Sequence, residues 1–557
     1  MNISTNRARQ YLALIACAFI TSGVAAAETI PVKIEVDASK SLGPLRPIWR
    51  FFGADEPNYA TMKDGEKLLS ELGKLRPREV YFRTHNLLTS GDGTPALKWG
   101  STNAYTEDAQ GNPVYNWTIV DHIFDTYLAR GVRPYVEIGF MPQALSVQPE
   151  PYRQDWRPGF NYTVPHGWAF PPRDYSKWGE LVYQWTKHCV ERYGRAEVER
   201  WYFETWNEAN YPAYWYGTPE EFYKLHDYAV NAVRRALPTA RVGGPDAAGS
   251  GGKFMDGFLE HVIKGKTPTD FVSFHAKGNA TFIDDHVRLN MGAHLKTIDE
   301  GFDKIANSPL KDKPVIIGES DPEACAACQG AQLAYRNNTM YSSYTAASFV
   351  RKLDLADRYR VNLEGALTWA FEFEDQRYFA GFRALATNGI DLPVLNVFRM
   401  FNRMQGNRVA ARSDAAIPLD EIMQQSVRAR PDISAFASID GNKLYVMSWY
   451  YHDDDVSGPD ANVQLNVAHL RAKCAVTTES RIDRTHSNAF TAWQTIGSPL
   501  TLNEAQYASI ESAGKLAQMG SPQTLPIRSG KLALQITLPR QGVSLLEFDL
   551  RNSPCPR

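Results

Sequence analysis

The chain has 557 residues, a net charge of -2 at pH 7 and 12% aromatic residues. This length accommodates one large domain and a smaller second one. Because the sequence has no block of Lys or Arg, we expect no nucleic-acid partner. Beyond the N-terminus, no segment is apolar enough to predict a membrane span. The pattern leaves the oligomeric state open.

Residues 1–27 have the pattern of a secretory signal peptide. Arg7 and Arg9 precede a mostly apolar run over residues 11–24, and three alanines end at Ala27. We therefore expect an exported protein, periplasmic or extracellular. Residues 14–17 also resemble a bacterial lipoprotein box ending in Cys17. Cleavage there would leave an apolar core of about six residues, which is short for a signal, so soluble export is favoured over lipid anchoring.

Five cysteines remain after the predicted signal peptide: Cys189, Cys325, Cys328, Cys474 and Cys555. In an oxidising compartment, Cys325 and Cys328 are close enough in sequence to close a small disulfide loop. The odd count leaves at least one free thiol, and we predict that this is Cys189 on a helix face. A zinc site would need two further ligands nearby, which the sequence does not show.

Short apolar segments alternate with helical periods along the first two thirds of the chain. The predicted strands are residues 49–54, 79–83, 133–138, 201–206, 240–244, 271–275, 315–318 and 366–370. Helical periods are predicted at residues 66–75, 120–130, 176–193, 220–237 and 395–405. Eight such repeats predict an α/β fold, a (β/α)8 TIM barrel over residues 46–408.

The pattern changes after residue 408. Strand-like segments follow at residues 433–439, 443–450, 463–467, 475–482, 532–538 and 543–548. Asp440, Gly441 and Asn442 give a hairpin signal between the first two. Residues 30–36 also alternate, and we expect them to join this second unit. The sequence thus predicts an accessory antiparallel β-sandwich built from residues 28–45 and 409–557.

Two glutamates follow predicted barrel strands directly. Glu208 comes after residues 201–206 among aromatic side chains, and Glu319 ends the strand that begins near Val315. A barrel places its chemistry at the carboxyl ends of its strands. A lone glutamate there more often pairs with an arginine or caps a helix. A pair of them is typical of glycoside hydrolysis, which needs two carboxyl groups.

Further motifs make the sequence resemble one family. They are Trp206-Asn-Glu208, Glu319 at the end of strand seven, and the segments 82–85, 115–142, 243–245, 271–275 and 369–371. Together they resemble glycoside hydrolase family 39, the retaining (β/α)8-barrel family of β-xylosidases and α-L-iduronidases. The resemblance covers roughly residues 40–405 and, more loosely, the C-terminal part. It implies Glu208 as acid/base, Glu319 as nucleophile and Asn207 as a ligand of the sugar 2-hydroxyl, with no metal or organic cofactor.

Other polar residues at strand ends complete the predicted site. Arg83 is predicted to orient Glu319 through a bidentate pair, and His85 and His275 to bind sugar hydroxyls, although a histidine there can also cap a loop. Trp369 and the acids that follow strand eight, Glu372, Glu374 and Asp375, are candidates for the pocket floor. Glu374 and Asp375 are predicted to bind substrate, but the sequence does not decide which of the three acids faces the pocket.

Lys277 departs from the xylosidase pattern, which tends to carry an aromatic residue near this place. The segment 274–278 instead resembles the iduronidase branch, in which the lysine faces a substrate carboxylate. A cation here could bind a uronate or a ring hydroxyl, or it could be a solvated loop lysine.

The predicted function is an exo-acting β-xylosidase that releases xylose from the non-reducing end of xylo-oligosaccharides. The alternatives are activity on a uronide or an arabinoside, or an inactive carbohydrate-binding barrel. The presence of both carboxylates favours an enzyme.

Overall fold

A computed structural model describes residues 29–95, 102–153, 165–369 and 371–555. The predicted signal peptide, including Cys17, lies outside the described residues, as does Ala370 at the end of predicted strand eight. No helix in the described ranges has the length and apolar character needed to cross a membrane.

The described part of the first unit contains parallel strands that form a barrel. Strand order follows the chain, and the eighth strand is in two pieces, which pair with strand seven and with strand one. The hydrogen bonding therefore returns to its starting strand, as in a (β/α)8 barrel. The strands are Phe51–Ala54, Val80–Thr84, Val132–Ile138, Tyr202–Thr205, Arg241–Ala247, Phe271–Lys277, Val315–Asp321, Leu363–Ala366 and Thr368–Trp369.

Strands five, six and seven are longer than predicted. Each continues two or three residues beyond its apolar run, to Ala247, Lys277 and Asp321. The added residues include the charged side chains of Asp246, Lys277 and Asp321, so hydrophobic periodicity did not extend to them. Their burial at the carboxyl end of the barrel brings charged side chains to the place where the two glutamates lie.

The five predicted helices are present within three residues of their expected ends. Helix Pro219–Ala236 shows why: Thr218 and Glu221 form a capping box, and Pro219 occupies the first turn. The α-helices of the barrel are Lys63–Leu75, Thr118–Ala129, Tyr175–Tyr193, Arg195–Val198, Pro219–Ala236, Gly252–Gly265, Met291–Ala306, Thr339–Tyr359 and Pro393–Arg403. Short hairpins extend the loops after strands two, six and eight, at Tyr105–Glu107 with Pro113–Tyr115, Thr281–Ile283 with His286–Arg288, and Ala386–Thr387 with Ile390–Asp391.

The second unit contains a ten-stranded sheet in the described residues. Its strands are Ile30–Pro44, Asn407–Ser413, Asp432–Asp440, Lys443–Tyr451, Ala461–Ala468, Cys474–Ile482, Ala517–Gln518, Gln523–Pro526, Leu532–Leu538 and Val543–Arg551. Short helices Leu419–Gln425, Ala489–Thr495 and Glu504–Gly514 interrupt them. The turn predicted at Asp440–Asn442 joins two antiparallel strands.

The expectation of a wholly antiparallel sheet is wrong at one pair. Strand Ile30–Pro44 lies between Asn407–Ser413, which is antiparallel to it, and Ala461–Ala468, which is parallel. Hydrophobic alternation reports which face is buried but not strand direction. Strands from both ends of the sheet share one apolar core, which includes Ile34, Val446 and Leu465. A core shared by distant strands of the sheet is what a sandwich would have. The sandwich itself stays a prediction.

Two disulfides are present in the described chain. Cys325 and Cys328 are bonded, as predicted, and Cys474 is bonded to Cys555, which the sequence did not indicate. Cys189 is a buried free thiol on helix Tyr175–Tyr193, also as predicted. Disulfides of this kind persist in oxidising compartments.

The two disulfides should contribute unequally to stability. The Cys474–Cys555 bond spans 81 residues and the Cys325–Cys328 bond spans 3, and the chain entropy removed from the unfolded state grows with loop length. We expect Cys474→Ser/Cys555→Ser to lower the free energy of unfolding by about 2–4 kcal/mol, and Cys325→Ser/Cys328→Ser by less. Urea unfolding of the two variants checks this order, and an equal or reversed loss would contradict it.

Candidate active site

Glu208 and Glu319 lie together at the carboxyl end of the barrel. One carboxylate oxygen of each, and a ring nitrogen of His275, lie within 4.8 Å of one another. Trp206 and Glu208 adopt positive φ values of 69° and 46°, a conformation that non-glycine residues seldom take. Strand four therefore ends in a tight turn, and the Glu208 backbone N–H donates to the carbonyl of Asp246 at 3.0 Å. This turn directs the Glu208 side chain toward strands six and seven.

Glu319 is surrounded by cationic groups. The Lys277 ammonium lies 2.7 Å from its carboxylate, Arg83 Nη1 lies at 3.4 Å and His85 Nε2 at 3.5 Å. Burial alone would raise the pKa of Glu319, but Lys277, then His275, His85 and Arg83, hold that pKa well below its usual range. The side chain is therefore a buried, ionised carboxylate, which is what a nucleophile requires.

Lys277 is not a solvated loop lysine. It is the last residue of strand six, and its ammonium bridges Glu319 at 2.7 Å and Asp321 at 2.6 Å. Burial lowers the pKa of Lys277, but Asp321 and Glu319 outweigh that effect and raise it. A permanent cation is thus held against the carboxylate of Glu319.

His275 connects Glu208 to a buried aspartate. Its Nδ1 lies 2.7 Å from Glu208 Oε1 and its Nε2 lies 2.7 Å from Asp246 Oδ2. Although burial lowers the pKa of His275, the Asp246 and Glu319 carboxylates raise it to about 10, so both ring nitrogens donate. The binding of a sugar hydroxyl by His275 stays a prediction, and within the chain both of its ring nitrogens contact carboxylates.

Arg83 contacts four buried carboxylates instead of pairing with one. Its Nε donates to Glu204 at 2.8 Å, and its Nη2 contacts Glu137 at 2.8 Å and also contacts Asp246. Only the 3.4 Å contact of Nη1 reaches Glu319. The predicted bidentate pair with Glu319 is therefore wrong, because the acids in strands three, four and five occupy the other guanidinium donors.

Asn207 is oriented by the same arginine. Arg83 Nη2 donates to the Asn207 side-chain oxygen at 3.1 Å. The amide nitrogen of Asn207 is then the part of that side chain that can donate to a substrate hydroxyl. This orientation agrees with the predicted role of Asn207.

His85 and Trp369 form one wall of the cluster. His85 Nδ1 lies 2.8 Å from Asp55 Oδ1, and its ring centroid lies 4.5 Å from that of Trp369. Burial lowers the pKa of His85, but Glu137 and Asp55 raise it to about 9. A Cβ on Gly53 would lie 2.4 Å from the Trp369 ring, so the first strand needs glycine there to admit the indole.

The three acids after strand eight have different environments. Glu374 accepts hydrogen bonds from the backbone N–H groups of Asp64 and Gly65, at 3.1–3.2 Å, and so caps a helix N-terminus. Asp375 is exposed, and Glu372 accepts from the Gly389 N–H at 2.8 Å. None of these contacts reaches the two glutamates, so the structure does not bring Glu374 or Asp375 into the carboxylate cluster.

Several charged residues in this cluster and beside it were missed in the sequence. They are Asp55, Glu137, Glu204, Asp246, Asp321, Glu323, Arg336 and Arg383. Glu137 and Glu204 carried a usable signal, because each is an acid within an apolar strand. Burial raises the pKa of Glu137 to about 8 and that of Glu204 to about 7.

A second charge cluster lies beside the first. Arg383 Nη1 and Arg336 Nη2 each lie 2.8 Å from Glu323 Oε1. Arg336 also donates to the carbonyls of Cys325, Ala326 and Cys328. The loop that contains the Cys325–Cys328 disulfide is thereby fixed beside strand seven.

Glu208, His275 and Glu319 have the spacing of a three-ligand metal site. Their surroundings oppose one, because Lys277 lies 2.7 Å from Glu319 and His275 is held in its charged form. A metal ligand must be a neutral imidazole. The donor set therefore fits acid–base and nucleophilic chemistry better than it fits a cation.

Comparison with known proteins gives the family. The model of glycosyl hydrolases family 39 matches residues 32–529. The chain belongs to this family. It is 26% identical over 490 residues to a β-xylosidase of Geobacillus stearothermophilus, covering 84% of this chain and 86% of that protein. It is 27% identical over 337 residues to the α-L-iduronidase of Canis lupus familiaris, covering 56% of this chain and 44% of that protein.

A solved structure agrees on the fold. The GH39 enzyme from Xanthomonas axonopodis pv. citri superposes with a TM-score of 0.74 at 21% identity, covering 96% of this chain and all of that chain. The protein is thus a glycosyl hydrolase with a TIM-barrel-like fold.

Removing Lys277 should change the pH dependence of hydrolysis. In Lys277→Met, the pKa of Glu319 should rise because its nearest cation is gone, so the acidic limb of kcat/KM should move to higher pH. A charged hydrogen bond contributes about 1.5–3 kcal/mol, so kcat/KM at neutral pH should fall roughly 10- to 100-fold. The pH profile on an aryl glycoside measures both, with Lys253→Met as control. An unshifted acidic limb would contradict the role of Lys277.

Proposed function

We propose that the protein is a retaining, exo-acting β-xylosidase that releases xylose from the non-reducing end of xylo-oligosaccharides. The observation that carries the retaining mechanism is the approach of Glu208 and Glu319 oxygens to within 4.8 Å. Inverting enzymes separate their carboxyl groups by about 6.5–9.5 Å to admit a water, whereas retaining enzymes hold them about 5–5.5 Å apart. The contacts of the two glutamates also support the roles proposed for them.

In the first step, Glu319 attacks the anomeric carbon while Glu208 protonates the departing glycosidic oxygen. Glu208 Oε1 accepts from His275 Nδ1 at 2.7 Å, so Oε2 is the oxygen that carries the transferred proton. In the second step, the Glu208 carboxylate removes a proton from water, which attacks the anomeric carbon and releases Glu319. The same His275 contact holds the Glu208 carboxyl group in both steps.

The charge around Lys277 supports a neutral glycone. The Lys277 ammonium already contacts two carboxylates of the chain, Glu319 and Asp321. The lysine therefore does not need a substrate carboxylate as its partner, and this favours a neutral pentoside. The identity to the β-xylosidase, 26% over 490 residues, is also higher than the 23% over 583 residues shared with the α-L-iduronidase of Mus musculus. One observation favours a uronide instead: Arg383 Nη2 lies 3.4 Å from Asp321, so a second cation lies beside the Lys277–Asp321 pair. Hydrolysis of an arabinoside and carbohydrate binding without catalysis are the remaining alternatives.

We also propose that the protein is exported. The two disulfides support an oxidising compartment, and the N-terminal sequence has the pattern of a signal peptide. Mass analysis of the mature N-terminus separates cleavage after Ala27 from lipidation at Cys17.

A panel of aryl glycosides tests the glycone. We expect the highest kcat/KM on the β-xyloside among xyloside, arabinosides, glucoside, galactoside and iduronide. The Glu319→Ala variant is the control, since it removes the nucleophile and should abolish activity on every substrate. Strong hydrolysis of the iduronide with none of the xyloside would replace our proposal with the uronide alternative, and no hydrolysis at all would favour a binding protein.

The stereochemical outcome tests the double displacement. Two successive inversions at the anomeric carbon should give net retention, so the first sugar released from a β-xyloside should be the β-anomer. Proton NMR during the first minutes, before mutarotation, identifies it. Release of the α-anomer would show that Glu319 is not a nucleophile.

The acid role of Glu208 should depend on the leaving group. In Glu208→Gln the aglycone leaves unprotonated, so kcat/KM should fall steeply for poor leaving groups and little for activated aryl groups. A series of aryl xylosides of increasing phenol pKa measures this slope in wild type and variant. An equal loss across the series would assign Glu208 a binding role only. Added azide should partly restore turnover, because it replaces the water that Glu208 activates.

A further inference from the structure

The accessory sheet carries a groove on its solvent-facing side. The groove has a volume of about 950 Å³ and crosses the strands that contain Lys33, Ala410, Asn466 and Ala533. Its lining combines small side chains, Ala410, Ala468 and Ala533, with long cationic ones.

The groove has an excess of positive charge. Its lining includes five cationic side chains, Lys33, Lys40, Arg412, Arg528 and Lys531, and two acids, Glu35 and Asp37. Both acids have partners, because Glu35 lies 2.5 Å from Lys33 and Asp37 lies 2.7 Å from His469.

No ion pair within the described residues joins Lys40, Arg528 or Lys531 to an acid, whereas Arg412 is attracted to Glu35, its neighbour across the paired strands. A chain whose net charge is only -2 therefore presents a concentrated positive surface at this place.

Two of these cations are held side by side by a tight turn. The backbones of Arg528 and Lys531 exchange hydrogen bonds of 3.0 and 2.9 Å, and the residues between them, Ser529 and Gly530, have positive φ values of 50° and 71°. Like charges directly opposite each other on paired strands destabilise the pair. A bound anion would relieve that repulsion.

We propose that this groove binds a uronate-bearing glycan chain through its carboxylates. Arginine guanidinium groups pair with carboxylates in a fork geometry, and Arg412 and Arg528 supply two such groups. The groove lining contains no aromatic side chain, which argues against stacking of neutral sugar rings and against single-stranded nucleic acid, whose bases stack on aromatic residues. The choice of a glycan over other polyanions rests on the proposed glycosidase function. The positive charge of the groove is independent of that function.

Binding to an acidic oligosaccharide tests the proposal. The full chain carrying Glu319→Gln is titrated with tetragalacturonate at low salt by calorimetry. A second titration uses fully methyl-esterified tetragalacturonate, which has the same sugars without the charge. We expect binding of the acid and none of the ester, with affinity that falls as salt rises. Arg528→Glu/Lys531→Glu should weaken binding at least tenfold. The matched control is Lys253→Glu/Lys264→Glu, an equal charge change on an exposed barrel helix, which should leave affinity within twofold.

Three outcomes would overturn the proposal. They are no binding of tetragalacturonate, equal binding of the ester, and an equal loss in the control variant. Tighter binding of a DNA oligomer that also depends on Arg528 and Lys531 would replace the glycan with nucleic acid. Arg528→Glu/Lys531→Glu with Glu319 intact should hydrolyse a neutral aryl xyloside as the wild type does. Loss of glycan binding by the groove and absence of xylosidase activity are therefore separate results.

Discussion

Arg83 is fully buried inside the barrel and contacts carboxylates from strands three, four, five and seven. Several acids packed in a low-dielectric interior repel one another, and each loses its hydration. The guanidinium group, with its planar array of five donors, is the side chain suited to satisfy many of them together. Removal of this arginine would leave uncompensated buried charges, so the carboxyl end of the barrel depends on it.

The same charges separate the two catalytic candidates. Glu319 is enclosed by Lys277, His85 and Arg83 and is held ionised, whereas Glu208 is 19% exposed and contacts one cation, His275. His275 obtains its charge from Asp246, and Asp246 is itself held by Arg83. Two glutamates of identical chemistry are thus placed in unlike electrostatic surroundings, which is the condition for one to act as nucleophile and the other as acid/base.

Sequence reasoning located this pair but not its support. Glu208 and Glu319 each follow an apolar strand, and strand ends are where a barrel holds its chemistry. The partners of the pair depend on which side chains meet across different strands, and a single sequence has no signal for that. His275 and Lys277 were therefore expected to contact substrate, yet they contact carboxylates of their own chain. Glu374 was expected at the pocket floor, yet its carboxylate accepts from the backbone N–H groups of Asp64 and Gly65. These partners lie some 310 residues away in sequence, so the sequence could not indicate them.

The accessory unit is connected to the site through the segment that follows Lys277. That segment forms the hairpin Thr281–Arg288, and the accessory loop after Tyr451 binds it: Arg288 pairs with Asp454 at 2.5 Å, and the Asp455 N–H donates to the Val287 carbonyl at 2.9 Å. The Leu289 N–H donates in turn to the Asp453 carbonyl at 2.8 Å. Lys277 lies only a few residues before this anchored hairpin, so the accessory unit restrains the segment that carries the cation beside Glu319. The accessory unit therefore helps to hold the segment that positions Lys277 beside Glu319.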